Sequence, residues 1–329
     1  MSNPLASLAA AAGLACAMSV AAAPAVAAPQ VVASIKPIHS LVAAVMEGVG
    51  TPALIVKGAA SPHTYAMKPS DAKALASADV VVWIGPEFEG FLTKPLASAK
   101  KATVVELMDA PGMTLLDARE GGAWEPHDHG HEHGHDHKHE HDHKAGHDDH
   151  GHDDHGHDEV NSHIWLSPAN AKRIVAVTAD ALSAKDPANA GTYAANAART
   201  AAVLDALDGE LKTALAPVAG RPFVVFHDAY QYFEAAYGLS GVGAITVNPD
   251  RRPSAKRLSA IRDKIKGLGA VCVFAEPQFE PTLVNTVVEG TQARTGTLDA
   301  EAADIPEGPE LYPTLMRRLA SSLTGCLKG

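Results

Sequence analysis

Residues 30–56 read QVVASIKPIHSLVAAVMEGVGTPALIV. Val31-Val32-Ala33-Ser34-Ile35 is a short β-branched run. Ile38, Leu41, Val42 and Val45 then recur at helical spacing, and 53–56 returns to an apolar run. Strand, amphipathic helix and strand in that order make a βαβ unit, which implies a parallel sheet. The alternation continues through 79–84, an apolar run suited to a central strand buried on both faces, and through 103–107. We assign residues 29–186 to this first α/β lobe.

Residues 187–216 are Ala-rich and free of internal Pro, with Tyr193, Leu204, Leu207 and Leu211 among good helix formers. They predict one helix of roughly 45 Å at 1.5 Å per residue, long enough to bridge two lobes. Residues 217–329 then repeat the α/β grammar. Strand 223–226 precedes a helix carrying Tyr230, Phe233 and Tyr237. After Pro253, Leu258, Ile261, Ile265 and Leu268 mark a helix before strand 271–275. The expectation is two similar lobes, each with a mostly parallel sheet flanked by helices, joined by a long connecting helix.

The 329 residues and 46% hydrophobic content suit two packed lobes. Residues 1–28 are uncharged and Ala-rich, ending in the small-x-small pattern Ala25-Val26-Ala27. They read as a secretory signal cleaved near Ala27 or Ala28, although no Lys or Arg precedes the apolar stretch. A non-cleaved anchor is the alternative, and so weakly apolar a segment spans a bilayer poorly. Cys16 falls inside the signal, leaving Cys272 and Cys326. In an oxidising compartment an even pair reads as a disulfide, with two buried thiols as the alternative. The net charge of −11 argues against nucleic acid as a partner and suits a cation.

Fourteen of the 18 histidines crowd into the acidic tract 120–160: His127, His129, His131, His133, His135, His137, His139, His141, His143, His147, His150, His152, His155 and His157. With no apolar period the tract cannot bury a core and reads as a loop that binds several ions weakly. The alternative is a merely solvated charged tract. His131–His135 and His139–His143 fit H-E-x-x-H, but that protease motif works only on a stable helix, which the interrupting glycines and absent apolar face deny.

Four histidines lie elsewhere. His227 follows strand 223–226, and His63 sits in the turn after the run ending at Val56. Both places lie beyond the carboxyl ends of parallel strands, where ligands bind. His163 precedes a helix start at Pro168, and Asp299 ends the short apolar run Thr297-Leu298. Three imidazoles and a carboxylate from separated loops would make a four-coordinate site. His39 reads as structural, Trp83 and Trp165 as core. Asp228 is read either as an acceptor that orients His227 or as an exposed residue at a helix start.

Several ordered runs carry a resemblance: Ser34-Ile35-Lys36-Pro37; Pro62-His63-Thr64-Tyr65 with Lys68-Pro69-Ser70-Asp71; Val82-Trp83-Ile84-Gly85-Pro86-Glu87; 163–168; Phe226-His227-Asp228-Ala229-Tyr230; Phe274-Ala275-Glu276-Pro277-Gln278-Phe279; and Gly296-Thr297-Leu298-Asp299. The chain resembles the periplasmic zinc-binding (ZnuA-like) subunits of ABC importers over nearly all of its length after the signal. That resemblance implies a periplasmic protein that captures Zn(II) in the cleft between its lobes and passes it to a membrane permease. It implies His63, His163 and His227 as ligands and a bridge between Cys272 and Cys326. Relatives that use a Glu as fourth ligand place it just before the first histidine, where this chain has Pro62, so the fourth position lies between Asp299 and water.

Three nitrogen donors with at most one carboxylate favour zinc over manganese, though not over copper by affinity order alone. Because neutral imidazole is the binding form, ordinary histidines predict affinity falling steeply below about pH 6. Two other readings stay open. A zinc hydrolase would share the three-ligand pattern but needs a general base and a substrate pocket, and in a histidine-rich metal buffer the loop alone would matter.

Overall fold

The computed structural model describes residues 27–119, 124, 160–246, 249 and 253–329. Nearly all of the expected signal and of the histidine-rich tract lies outside the described residues. In chain order the elements are β1 (Val31–Ala33), α1 (Lys36–Val45), β2 (Ala53–Leu54), α2 (Pro69–Ser77), β3 (Val80–Trp83), α3 (Gly90–Ser98), β4 (Thr103–Glu106), α4 (Pro168–Lys185), α5 (Ala190–Leu215), β5 (Pro222–Val225), α6 (Gln231–Tyr237), β6 (Ser240–Ala244), α7 (Ala255–Leu268), β7 (Cys272–Ala275), α8 (Thr282–Val288), β8 (Arg294–Thr297) and α9 (Leu311–Lys328).

Each lobe is built on a four-stranded parallel sheet with the same topology, β2-β1-β3-β4 in the first and β6-β5-β7-β8 in the second. The period of two along a strand sorts the second sheet's side chains between two cores. Phe223, Val225, Cys272 and Phe274 face one, while Val224 and Val273 face the other, with Ile261 and Ile265 of α7. The expected βαβ grammar is therefore met in both halves.

The helix starts follow their local chemistry. Pro168 occupies the first turn of α4, where a missing N–H does no harm, and the Ser167 hydroxyl accepts from the Asn170 N–H at 3.2 Å. The connecting helix α5 spans 26 residues, about 39 Å, with a 3-10 turn at either end (Pro187–Asn189 and Ala216–Val218). Its buried stripe, Tyr193, Leu204, Leu207, Leu211 and Leu215, packs into a core that does not stop at the lobe boundary. That core runs from β1 and β3 through α4 and α5 to β5, β7 and α9. The last helix crosses back to pack on α1 and α5. Among the described residues no helix is long and apolar enough to cross a membrane.

Further ties join the halves. The Tyr312 hydroxyl donates to the Trp165 carbonyl at 2.7 Å, and the Trp165 indole donates to the Ala300 carbonyl at 3.0 Å. Trp83 and Trp165 are buried in the core, as read from the sequence. His39 is buried in α1, its Nε2 3.0 Å from the Pro52 carbonyl, in a structural place. Cys272 on β7 and Cys326 on α9 form a disulfide with Cα atoms 6.1 Å apart.

Candidate metal centre

The parallel sheets bring their carboxyl ends toward the junction of the lobes, and the loops that leave those ends carry the candidate ligands. His63 lies in a 3-10 turn, Pro62–Thr64, between β2 and α2. His163 precedes a second 3-10 turn, Ile164–Leu166, that leads into α4. His227 stands two residues beyond β5. One ligand nitrogen from each of the three falls within 4.8 Å of the others. His163 and His227 are buried and His63 is partly so.

Two hydrogen bonds fix the tautomers that matter. The Asn161 side-chain oxygen accepts from the backbone N–H of His163 at 3.0 Å and faces its Nδ1 at 2.9 Å, while the Asn161 amide nitrogen donates to the Asp228 carbonyl at 2.8 Å. That arrangement settles which end of Asn161 accepts, so His163 carries its proton on Nδ1. Both oxygens of Glu276, which directly follows β7, lie 2.7 Å from His227 Nδ1. A carboxylate only accepts, so His227 also carries its proton on Nδ1.

Both Nε2 atoms are therefore bare lone pairs, and they face each other at 3.1 Å. Two acceptors so placed repel unless a cation stands by both. Nitrogens on a tetrahedral zinc at 2.0–2.1 Å are about 3.3 Å apart, close to this spacing.

The surroundings hold His63 and His163 neutral. Phe88 packs edge-on against His63 at 4.9 Å and His163 at 5.3 Å, and Trp165 lies 5.2 Å from His163. Burial, reinforced by His227, pushes His63 down to about 3. Burial, then His227 and His63, hold His163 well below the ordinary imidazole value. Both are therefore in the metal-binding form far into the acid range.

Asp299 is not brought to this cluster. One of its oxygens accepts from the Glu301 N–H at 3.0 Å and the Gln278 side chain at 2.8 Å, and the other accepts from the Ala303 N–H at 2.6 Å. It organises the turn after β8, lies outside the group of side chains that could hold an ion, and lines a separate pocket with Asp304 and Arg318. Asp228 does not orient His227 either, since its carboxylate accepts from Arg119, which also reaches Glu234 at 2.7 Å. Glu276 takes the orienting role. The rule that placed His227, a position just past a parallel strand, also marks Glu276. Asn161, Phe88 and Glu301 carried no comparable signal.

The cavity beside His63 and His227 is also lined by Glu276, Phe279 and Glu301, and at about 10 Å³ it holds roughly one water-sized group. The root of the histidine-rich tract lies nearby. Asp117 and Val160 form an antiparallel bridge, and the Asn161 N–H donates to the Leu116 carbonyl at 2.9 Å. The residues that flank the tract thus meet one residue from the asparagine that pins His163.

Two parallel-sheet lobes joined by one long helix, with three preoriented imidazoles at their junction, define a bilobal metal-binding protein. Residues 31–326 match the family model described as "Zinc-uptake complex component A periplasmic", and the chain belongs to that family. It is 55% identical over 301 residues to the high-affinity zinc uptake system protein ZnuA of Brucella abortus (strain 2308), covering 89% of this chain and 90% of that one. With the protein of the same name from Yersinia pestis it shares 40% over 303 residues, 90% of each. Among solved structures it resembles a crystal structure of ZnuA, with a TM-score of 0.72 and 28% identity over 91% of this chain and 99% of that one. It also resembles a ZnuA deletion mutant with zinc bound, with a TM-score of 0.71 and 26% identity over 91% of this chain and 98% of that one.

Proposed function

We propose that this chain is the periplasmic capture component of a zinc importer. It binds Zn(II) through Nε2 of His163 and His227 together with His63, and releases the ion to an ABC permease in the inner membrane. The observation that carries this reading is the opposed pair of Nε2 lone pairs at 3.1 Å, each imposed by a hydrogen bond behind the ring. The ion is cargo. The cavity beside the ligands is small, about 10 Å³, which weighs against the hydrolase reading. Imidazole donors suit zinc better than manganese.

In this reading residues 1–28 are a signal removed on export, and the mature monomer comprises the lobes 29–186 and 217–329 with the connecting helix 187–216 between them. The tract 120–160 serves as a weak, fast-exchanging collector, because each ion it binds must order backbone at about 1–2 kcal/mol per residue fixed. The Asp117–Val160 bridge, next to Asn161, supports that reading.

The test is a zinc titration of the metal-stripped protein against a competing chelator, run on the intact chain, on a deletion of residues 127–157, and on His163→Ala in the deleted background. The deletion is expected to keep one tight site and lose weak ones, and His163→Ala to abolish the tight site. Tight binding that disappears with the tract would instead make this a histidine-rich buffer on an α/β scaffold.

A further inference from the structure

We propose that Arg119 is a positioning residue for metal capture: by clamping Asp228 to α6 it fixes the peptide that, through Asn161, sets His163 against His227. This rests on the three-histidine reading above and adds to it the residue that keeps the two facing imidazoles in register across the lobe boundary.

His163 belongs to the first lobe and His227 to the second, yet their Nε2 atoms stand 3.1 Å apart. Asn161 links the two loops. Its amide nitrogen donates to the Asp228 carbonyl at 2.8 Å, while the oxygen of the same amide is the acceptor behind His163 Nδ1. Tyr232 on α6 holds the Asn161 backbone, its hydroxyl donating to the Asn161 carbonyl at 2.7 Å and accepting from the Leu116 N–H at 3.0 Å. The Asp228 carbonyl holds the side chain. Its direction therefore decides where the amide oxygen sits, and with it which nitrogen of His163 carries the proton.

Arg119 fixes Asp228. Its Nε donates to the two carboxylate oxygens of Asp228 at 3.1 and 3.0 Å, Nη2 donates to the same group, and Nη1 and Nη2 donate to Glu234 at 2.7 and 3.2 Å. The Trp124 ring covers one face of the guanidinium at 3.7 Å. The three charged side chains are largely buried, with 19% of Arg119, 13% of Asp228 and 6% of Glu234 exposed. Two carboxylates so placed stay together only because a cation lies between them. Glu234 has no room to leave, since it lies against the backbone of Gly241 on β6, where even a methyl group would come within 2.5–2.7 Å of its carboxylate. Without Arg119 the repulsion would be relieved at Asp228, the neighbour of His227. The fork matters as much as the charge, because a lysine ammonium cannot hold both carboxylates in one plane.

The experiment uses the metal-stripped full chain as wild type, Arg119→Gln, Arg119→Lys, Asn161→Ala, each Arg119 variant combined with Asn161→Ala, and His163→Ala, with folding checked by circular dichroism. With nitrogen-15 histidine, NMR at neutral pH reads which ring nitrogen of His163 carries the proton, its signals being those lost in His163→Ala. Chelator competition reads the affinity of the tightest zinc site. Wild-type His163 is expected to be protonated on Nδ1. Arg119→Gln should show mixed tautomers and bind zinc about tenfold more weakly, and Arg119→Lys should show a smaller loss of the same kind. Either combination should bind zinc no more weakly than Asn161→Ala alone, because both residues act along one path. Wild-type tautomer and undiminished affinity in Arg119→Gln, or losses that simply add to that of Asn161→Ala, would overturn the proposal and leave Arg119 a merely structural tie. Should Arg119→Gln unfold, Arg119→Lys and its combination decide by the same two criteria. Failure of the three-histidine reading would look different, because His163→Ala would then bind zinc as tightly as wild type while the His163 tautomer in the metal-free protein still reported on Arg119.

Discussion

Lowering the pH from 7.5 to 5.0 separates a site of ordinary histidines from the one described above. A free imidazole titrates near 6.5, so at pH 5 proton competition would weaken capture ~30-fold per ligand, or ~1000-fold for His63 and His163 together. Burial holds His63 at about 3 and His163 well below its ordinary value, so neither binds a proton appreciably at pH 5. The steep loss below about pH 6 that the sequence predicts is therefore replaced by a shallow one. With His63 and His163 silent, affinity is expected to change by no more than about tenfold per pH unit. The assay is a chelator competition at half-unit steps, corrected for the chelator's own protonation. It is done in the deletion of residues 127–157, so that the histidines of the tract do not contribute. A slope of two or more decades per pH unit between pH 6 and pH 5 would refute the reasoning, because it would mean that the buried imidazoles take up protons as free ones do.

The same shift makes a statement about the metal-free fold. His63 titrates lower folded than unfolded, so its contribution is full above about pH 6.5 and is lost as pH falls toward 3, about 2 kcal/mol at pH 5. Glu89, pushed up to about 8 chiefly by burial, has the opposite sign, so the quantity to measure is the difference in urea stability between wild type and His63→Gln at the two pH values. An identical pH dependence in both would contradict the assignment. Replacing Glu276 by Gln keeps an acceptor for His227 Nδ1 but removes the charge, and zinc affinity should fall about 10–100-fold in chelator competition. Converting both Cys272 and Cys326 to Ser opens a bridge of sequence separation 54 and should cost up to about 4 kcal/mol in urea unfolding, with near-wild-type zinc affinity, since neither lies at the site.

Much of this was legible in the chain because the signals are local. Runs such as Val80–Trp83 and helices such as α7 announce themselves by period, and the end of a parallel strand singles out His227 without knowledge of the rest of the fold. Asp299 misled because its neighbours on the chain compete for it. The N–H groups two and four residues ahead capture the carboxylate, a turn geometry that spacing does not reveal. Asp228 misled for the converse reason, since its partner Arg119 lies more than a hundred residues away. The depressed imidazoles were beyond reach as well, because Phe88 and Trp165 meet His63 and His163 only in three dimensions. The return of α9 onto α1 and α5, which fuses the larger core across the boundary between the halves, has no local signal in the sequence.

That shared core bears on residence time. Two lobes with a common interior resist drifting apart, so the metal-free protein is expected to keep the three imidazoles together and to lose little affinity to selecting that arrangement. Differences in affinity among variants should then appear in how long the ion stays. The reverse holds for unloading. If the lobes stay closed on their own, the ion should stay until something disturbs the junction, so release in the proposed handover is expected to be set by the receiver rather than by the carrier.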